Sequence, residues 1–123
     1  MKRKKILLVE DNLINQKIAK LMLQKFDQII DVAENGLIAV EKFRNDTYDL
    51  ILMDLHMPEL NGFEATRKIR EFEQENKRKE KVRIYAMTAS SLQDESENCL
   101  SAGMDGYLSK PFRNDELMAL LVD

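Results

Sequence analysis

One cysteine, Cys99, rules out an intramolecular disulfide and any CxxC metal or redox motif, and it points to a reducing compartment. Tryptophan is absent, aromatics make up 7% of the chain, and there is one histidine, His56. No sign of charge dominates, because 19 Lys and Arg stand against 22 Asp and Glu for a net −3. Any special electrostatic field must therefore be local, and overall charge gives no reason to expect a nucleic-acid partner. Long apolar runs are also missing. A basic lead-in at residues 2–5 precedes an apolar run at 6–9, but Glu10 and Asp11 end that run well short of a secretion-signal core. No other run approaches membrane-spanning length. Neither GxxxxGK[ST] nor GxGxxG occurs, which removes the common nucleotide-cradling loops. The expectation is a cytoplasmic domain that makes no membrane contact itself.

What is present is the composition of one ordinary globular domain: 123 residues, 44% apolar and 33% charged. Strand and helix patterns alternate five times. Residues 6–9 form a short continuous apolar run, as in a parallel strand buried on both faces. Asn12 is placed to cap a helix in which Ile14, Ile18, Leu21, Met22 and Phe26 recur at helical spacing. Residues 29–33 read as a second strand, and Asp31 suits it to an edge. Asn35-Gly36 marks a turn before a helix carrying Leu37, Val40 and Phe43. Residues 50–53 are the clearest buried strand, followed by a helix over about 62–73. The polar stretch 74–81, with its Lys77-Arg78-Lys79 cluster, reads as a solvated helix end; it lacks the interleaved aromatics of a nucleic-acid patch. A fourth strand at 84–87, a helix over about 92–102 stopped by Gly103, a fifth strand at 107–108 and a helix over about 115–122 complete the chain. This alternation predicts an α/β fold, a parallel sheet joined by right-handed crossovers with helices on both faces. Its functional crevice should lie at the carboxyl ends of the strands.

Those strand ends carry Glu10 and Asp11, then Asp54, Thr88 and Lys110. Taken singly, each has an ordinary explanation: a carboxylate after a strand caps a helix or sits in solvent, a threonine caps, a lysine is a surface ammonium. Taken together they form a constellation. Three carboxylates at one edge repel unless a cation intervenes, and Mg²⁺ with its preference for carboxylate and water oxygens resolves that conflict. Asp54, ending the most apolar strand, is the natural nucleophile for an aspartyl-phosphate. Thr88 can donate to one phosphoryl oxygen and Lys110 can pair with another.

The chain resembles the receiver domains of two-component response regulators over essentially its whole length. The resemblance rests on Ile6-Leu7-Leu8-Val9-Glu10-Asp11-Asn12, on Asp49-Leu50-Ile51-Leu52-Met53-Asp54-Leu55-His56-Met57-Pro58 with Asn61-Gly62-Phe63-Glu64, on Ala86-Met87-Thr88-Ala89, and on Gly103-Met104-Asp105-Gly106-Tyr107-Leu108-Ser109-Lys110-Pro111-Phe112. It implies a single receiver domain over 1–123 with a flavodoxin-like, doubly wound, five-stranded parallel sheet in the order 2-1-3-4-5 and five helices. Asp54 then matches the phosphorylated aspartate. Glu10 and Asp11 match the acidic pair that holds Mg²⁺, and His56 the residue whose backbone carbonyl joins them. Thr88 and Lys110 match the switch hydroxyl and the phosphate-pairing lysine, Tyr107 the aromatic that changes rotamer, and Lys110-Pro111 the usual cis peptide. His56 and Ser90 stand where the family tunes the lifetime of the acyl phosphate. Neither is an acid or amide, so self-dephosphorylation is expected to be slow to intermediate.

Glu10-Asp11-Asn12 with Asn15, and Phe63-Glu64-Ala65-Thr66 with Arg70, look most like receivers of hybrid histidine kinases. The implied function is a phosphorelay switch. Its implied partners are a histidine kinase, attached or separate, and a histidine phosphotransfer domain. The resemblance covers the chain to just past the last helix, so no output domain is expected, and an excised receiver and a single-domain regulator remain equivalent. The alternative is a Mg²⁺-dependent aspartyl-nucleophile phosphohydrolase. Such enzymes typically need a second acid two residues after the nucleophile, where this chain has His56, and a cap domain that it lacks.

Overall fold

The computed structural model describes residues 3–57, 59–78, 80–88, 92–110 and 113–122, with the side chains of 92–96 outside that description. Ten elements alternate along the chain: β1 (Lys5–Val9), α1 (Leu13–Lys25), β2 (Ile29–Ala33), α2 (Gly36–Asn45), β3 (Leu50–Asp54), α3 (Gly62–Glu75), β4 (Arg83–Thr88), α4 (Leu92–Ala102), β5 (Gly106–Ser109) and α5 (Asn114–Leu121). All strand pairs are parallel, in the order β2-β1-β3-β4-β5. The expected order and the edge position of β2 are both found.

Alternation along the central strands divides the core in two. Leu7, Val9, Ile51, Met53, Ile84 and Ala86 point to one face, where Ala39, Val40 and Phe43 of α2, Ala65 and Ile69 of α3 and Cys99 of α4 cover them. Ile6, Leu8, Leu50, Leu52, Met87 and Leu108 point to the other face, beneath Ala19 and Leu23 of α1 and Leu117, Leu120 and Leu121 of α5. Burial on both faces is why β1 and β3 read as unbroken apolar runs. Among the described residues no helix is long and apolar enough to cross a membrane.

Three details depart from the sequence reading. Helical spacing places Ile14, Ile18 and Leu21 on the apolar stripe of α1, but they are 69%, 47% and 62% exposed. Ala19 and Leu23 are buried there instead, and Met22 and Phe26 pack beside them. At about 100° per residue the two sets lie on neighbouring arcs, so spacing identifies the helix without saying which arc meets the sheet. Second, Arg78 is not simply solvated. Its guanidinium stacks over the rings of Phe43 at 4.5 Å and Phe72 at 4.9 Å, closing the end of the α2–α3 pair. Lys79 lies outside the described residues. Third, Gly36 opens α2 rather than a preceding turn, with Asn35 as its cap. A Cβ at Gly36 would sit 2.2 Å from the carbonyl oxygen of Leu60, so glycine there lets the β3–α3 loop approach.

Candidate functional site

The site is built where β1, β3, β4 and β5 end. Val9 pairs with Met53, so Glu10 and Asp54 follow at the same level of the sheet. Asp54 pairs with Met87 and Thr88 with Ser109, which brings Thr88 and Lys110 to the same edge. Asp54 and Thr88 are the last residues of their strands, not the first beyond them. Glu10, Asp54 and Thr88 are buried, and Asp11 is exposed at the rim.

One carboxylate oxygen from each of Glu10, Asp11 and Asp54 lies within 4.8 Å of the other two. Lys110 places its Nζ 2.7 Å from Glu10 Oε1 and 3.2 Å from Asp54 Oδ2, a cation fixed between two of the three anions. Burial would depress this ammonium, but the hydrogen bond to Glu10 and the charges of Asp54 and Glu10 outweigh it, so its pKa is raised above the ordinary lysine value. The backbone N–H of Lys110 donates to the carbonyl of Thr88 at 3.0 Å, which fixes where the side chain departs.

Loop geometry supports these positions. The backbone N–H of His56 approaches Asp54 Oδ1 at 3.4 Å, while its exposed imidazole is not part of the acidic cluster. Asn61 and Glu64 form a reciprocal capping box at the start of α3. The Gly62 N–H donates to the carbonyl of Leu55 at 3.1 Å, closing the loop that follows Asp54. Tyr107, on β5 opposite Ala86, is 39% exposed. Ser90 and the Lys110–Pro111 peptide lie outside the described residues.

Three residues make contacts that the sequence reading does not anticipate. Asn12 is expected as a cap and as part of the motifs that carry the resemblance. It does cap α1, accepting from the Asn15 N–H at 3.0 Å, and its own N–H also donates to Glu10 Oε2 at 3.3 Å. Gln16 donates its side-chain amide to the carbonyl of Glu10 at 2.7 Å. At the opposite end of the sheet, Arg70 donates to Gly103 O, Val82 O, Glu73 Oε1 and Asp105 Oδ2. Polar residues on a helix carry no signal of a tertiary acceptor, so periodicity had no means of finding the Gln16 and Arg70 bonds.

The donor set suits a hard divalent cation. Ligand oxygens about 2.1 Å from Mg²⁺ stand roughly 3–4 Å apart, a contraction of the cluster that a rim residue such as Asp11 can supply. The site thus brings the buried carboxylate of Asp54 and the Lys110 ammonium together at one sheet edge, where β4 ends on the buried Thr88.

The family described as "Response regulator receiver domain" matches residues 6–122. Hybrid signal transduction histidine kinase B of Dictyostelium discoideum is 44% identical over 98% of this chain, and probable histidine kinase 1 of Oryza sativa subsp. indica is 41% identical over 87%. The chain spans only 6% and 14% of those two proteins. Among solved structures, the receiver domain of a sensor histidine kinase of Pseudomonas aeruginosa, with a magnesium ion in its active site cleft, is 45% identical with a TM-score of 0.84, covering 98% of this chain and 95% of that one. A receiver domain from Saccharomyces cerevisiae, solved with a histidine phosphotransfer signalling protein, is 38% identical with a TM-score of 0.87, covering 94% and 84%.

Proposed function

Because this chain belongs to the response regulator receiver family, we propose that it is the phosphoacceptor switch of a phosphorelay, with Asp54 as the residue phosphorylated. The observation that carries this reading is the convergence of Glu10, Asp11 and Asp54 with Lys110 at one sheet edge. Residues 1–123 act as a single receiver domain in the cytoplasm, whether or not a kinase module is attached. Its phosphodonor is a histidine kinase or a histidine phosphotransfer domain, the kind of partner found with the similar yeast receiver.

The carboxylates of Glu10, Asp11 and Asp54, with the backbone carbonyl of His56, would hold Mg²⁺. When bound, the ion offsets the charge of the incoming phosphoryl oxygens. An Asp54 oxygen attacks the phosphorus, the bond from phosphorus to the donor nitrogen or oxygen breaks, and the departing group keeps the electron pair. Thr88 donates its hydroxyl to one phosphoryl oxygen, and Lys110 turns from Glu10 to pair with another. As Thr88 moves inward, Tyr107 follows, and the surface of α4, β5 and α5 changes with it. Leu100, Tyr107 and Met118 give that surface exposed apolar contacts for a downstream reader.

Any catalysis is confined to the protein's own aspartate. The position two after Asp54 holds His56 where an aspartyl phosphohydrolase needs an acid. Incubation with Mg²⁺ and a small phosphodonor, followed by intact-mass measurement, tests the proposal. One added phosphoryl group, lost in Asp54→Asn and on removal of Mg²⁺, is the expected result. Repeated donor turnover without labelled protein would favour the hydrolase instead.

A further inference from the structure

Glu10 is held at four atoms by four different segments. Its N–H donates to Ala33 O at the end of β2, 3.0 Å away. Its Oε1 takes the Lys110 ammonium and its Oε2 the Asn12 N–H. Its carbonyl takes the amide of Gln16, one turn into α1, at 2.7 Å. That last bond has a distinct mechanical consequence. The carbonyl of Glu10 shares a peptide plane with the nitrogen of Asp11, and Asp11 lies in a bend outside both β1 and α1. Fixing this carbonyl fixes the plane from which the Asp11 carboxylate departs.

The bond also works against a known force. Three carboxylates within 4.8 Å repel, and the exposed Asp11 can relieve that repulsion by rotating the 10–11 peptide outward. Gln16 is itself fixed, because its backbone N–H is bonded to Asn12 O at 2.9 Å in the first turn of the helix. Only the NH₂ end of its side chain can face a carbonyl oxygen, so the amide orientation is settled by its partner.

We propose that Gln16 is a positioning residue for the metal pocket, holding the Glu10–Asp11 peptide so that both carboxylates stay aimed at Asp54 before a cation arrives. The proposal rests on the reading of this cluster as the Mg²⁺ site. Outer partners that orient metal ligands act mainly on affinity, commonly by tenfold or more. Gln16→Met keeps the length and packing of the side chain and removes the donor.

Calorimetric titration of the full chain with Mg²⁺ should show Kd raised about tenfold in Q16M. Phosphoryl incorporation from a small donor should need correspondingly more Mg²⁺ but reach the same limiting rate. Lys17→Met, one position along the same helix and exposed, should match wild type on both measures, and Q16A supplies the comparison should Q16M fold poorly. An unchanged Kd in Q16M and Q16A, or a lower limiting rate at unchanged Kd, would overturn the role of Gln16 alone. Wild-type protein that fails to bind Mg²⁺ would overturn the metal-site reading along with it.

Discussion

At the scale of single residues, Lys110 concentrates most of the electrostatics of the pocket. Its ammonium is bonded to Glu10 and Asp54, and its pKa is raised in the folded state. A raised folded value means that the folded protein holds this proton more tightly than the unfolded chain does. The stabilisation is then complete below the unfolded lysine value of about 10.4 and is lost as pH climbs through the higher folded value. Melting temperatures of wild type and Lys110→Met measured from pH 8 upward should therefore converge in the alkaline range. A constant gap would contradict the pairing. Asp54 and His56 carry the second expectation at this scale. With His56 exposed and no acid or amide at that position to orient a water, the aspartyl-phosphate should persist beyond seconds in purified protein. Loss of the added mass within seconds after donor removal would refute it. The carboxylates, Thr88 and Lys110 were all legible in the sequence, because each ends an apolar run and parallel topology sends every such end to one edge.

Two devices position whole elements. Gly62 opens α3 close against Asp54, and a Cβ there would meet the Asp54 carbonyl oxygen at 2.3 Å. That oxygen is backbone and cannot swing aside. Gly62→Ala should cost about 2 kcal/mol in urea unfolding and slow phosphoryl incorporation at Asp54 as well. Opposite the site, Arg70 ties α3 to the segment after α4 and to Val82 and Asp105, the residues just before β4 and β5. Its partner Glu73 is 2% exposed and also accepts the Val82 N–H at 2.7 Å. Arg70→Met strands that buried carboxylate, and a loss of about 3 kcal/mol is expected. Adding Glu73→Gln in the same chain should recover part of it, as a double-variant unfolding series would show. The helix bearing both residues was legible from its spacing. The clamp was not, since its acceptors at Val82, Gly103 and Asp105 come from other segments.

At the scale of the molecule, the exposed arc of α1 adjoins the pocket, because the helix begins two residues after Asp11. Ile14, Ile18 and Leu21 leave exposed apolar side chains on that arc, and on the proposed phosphorelay reading these would meet a phosphotransfer partner. Ile18→Asp should slow phosphoryl transfer from such a domain about tenfold, the equivalent of 1.4 kcal/mol, and leave labelling by a small donor unchanged. Equal effects on both donors would assign the residue to folding instead. The sequence by itself determined the alternation of elements, the doubly buried strands and the residues at their carboxyl ends, because all three follow from local periodicity and from the handedness of parallel crossovers. Tertiary structure alone decided which arc of α1 is covered, where Arg78 stacks, what Gln16 and Arg70 hold, and that Lys110 bridges Glu10 from 100 residues away. Each of these is a pairing between segments distant along the chain, and a periodic pattern records a residue's own face without naming the partner that meets it.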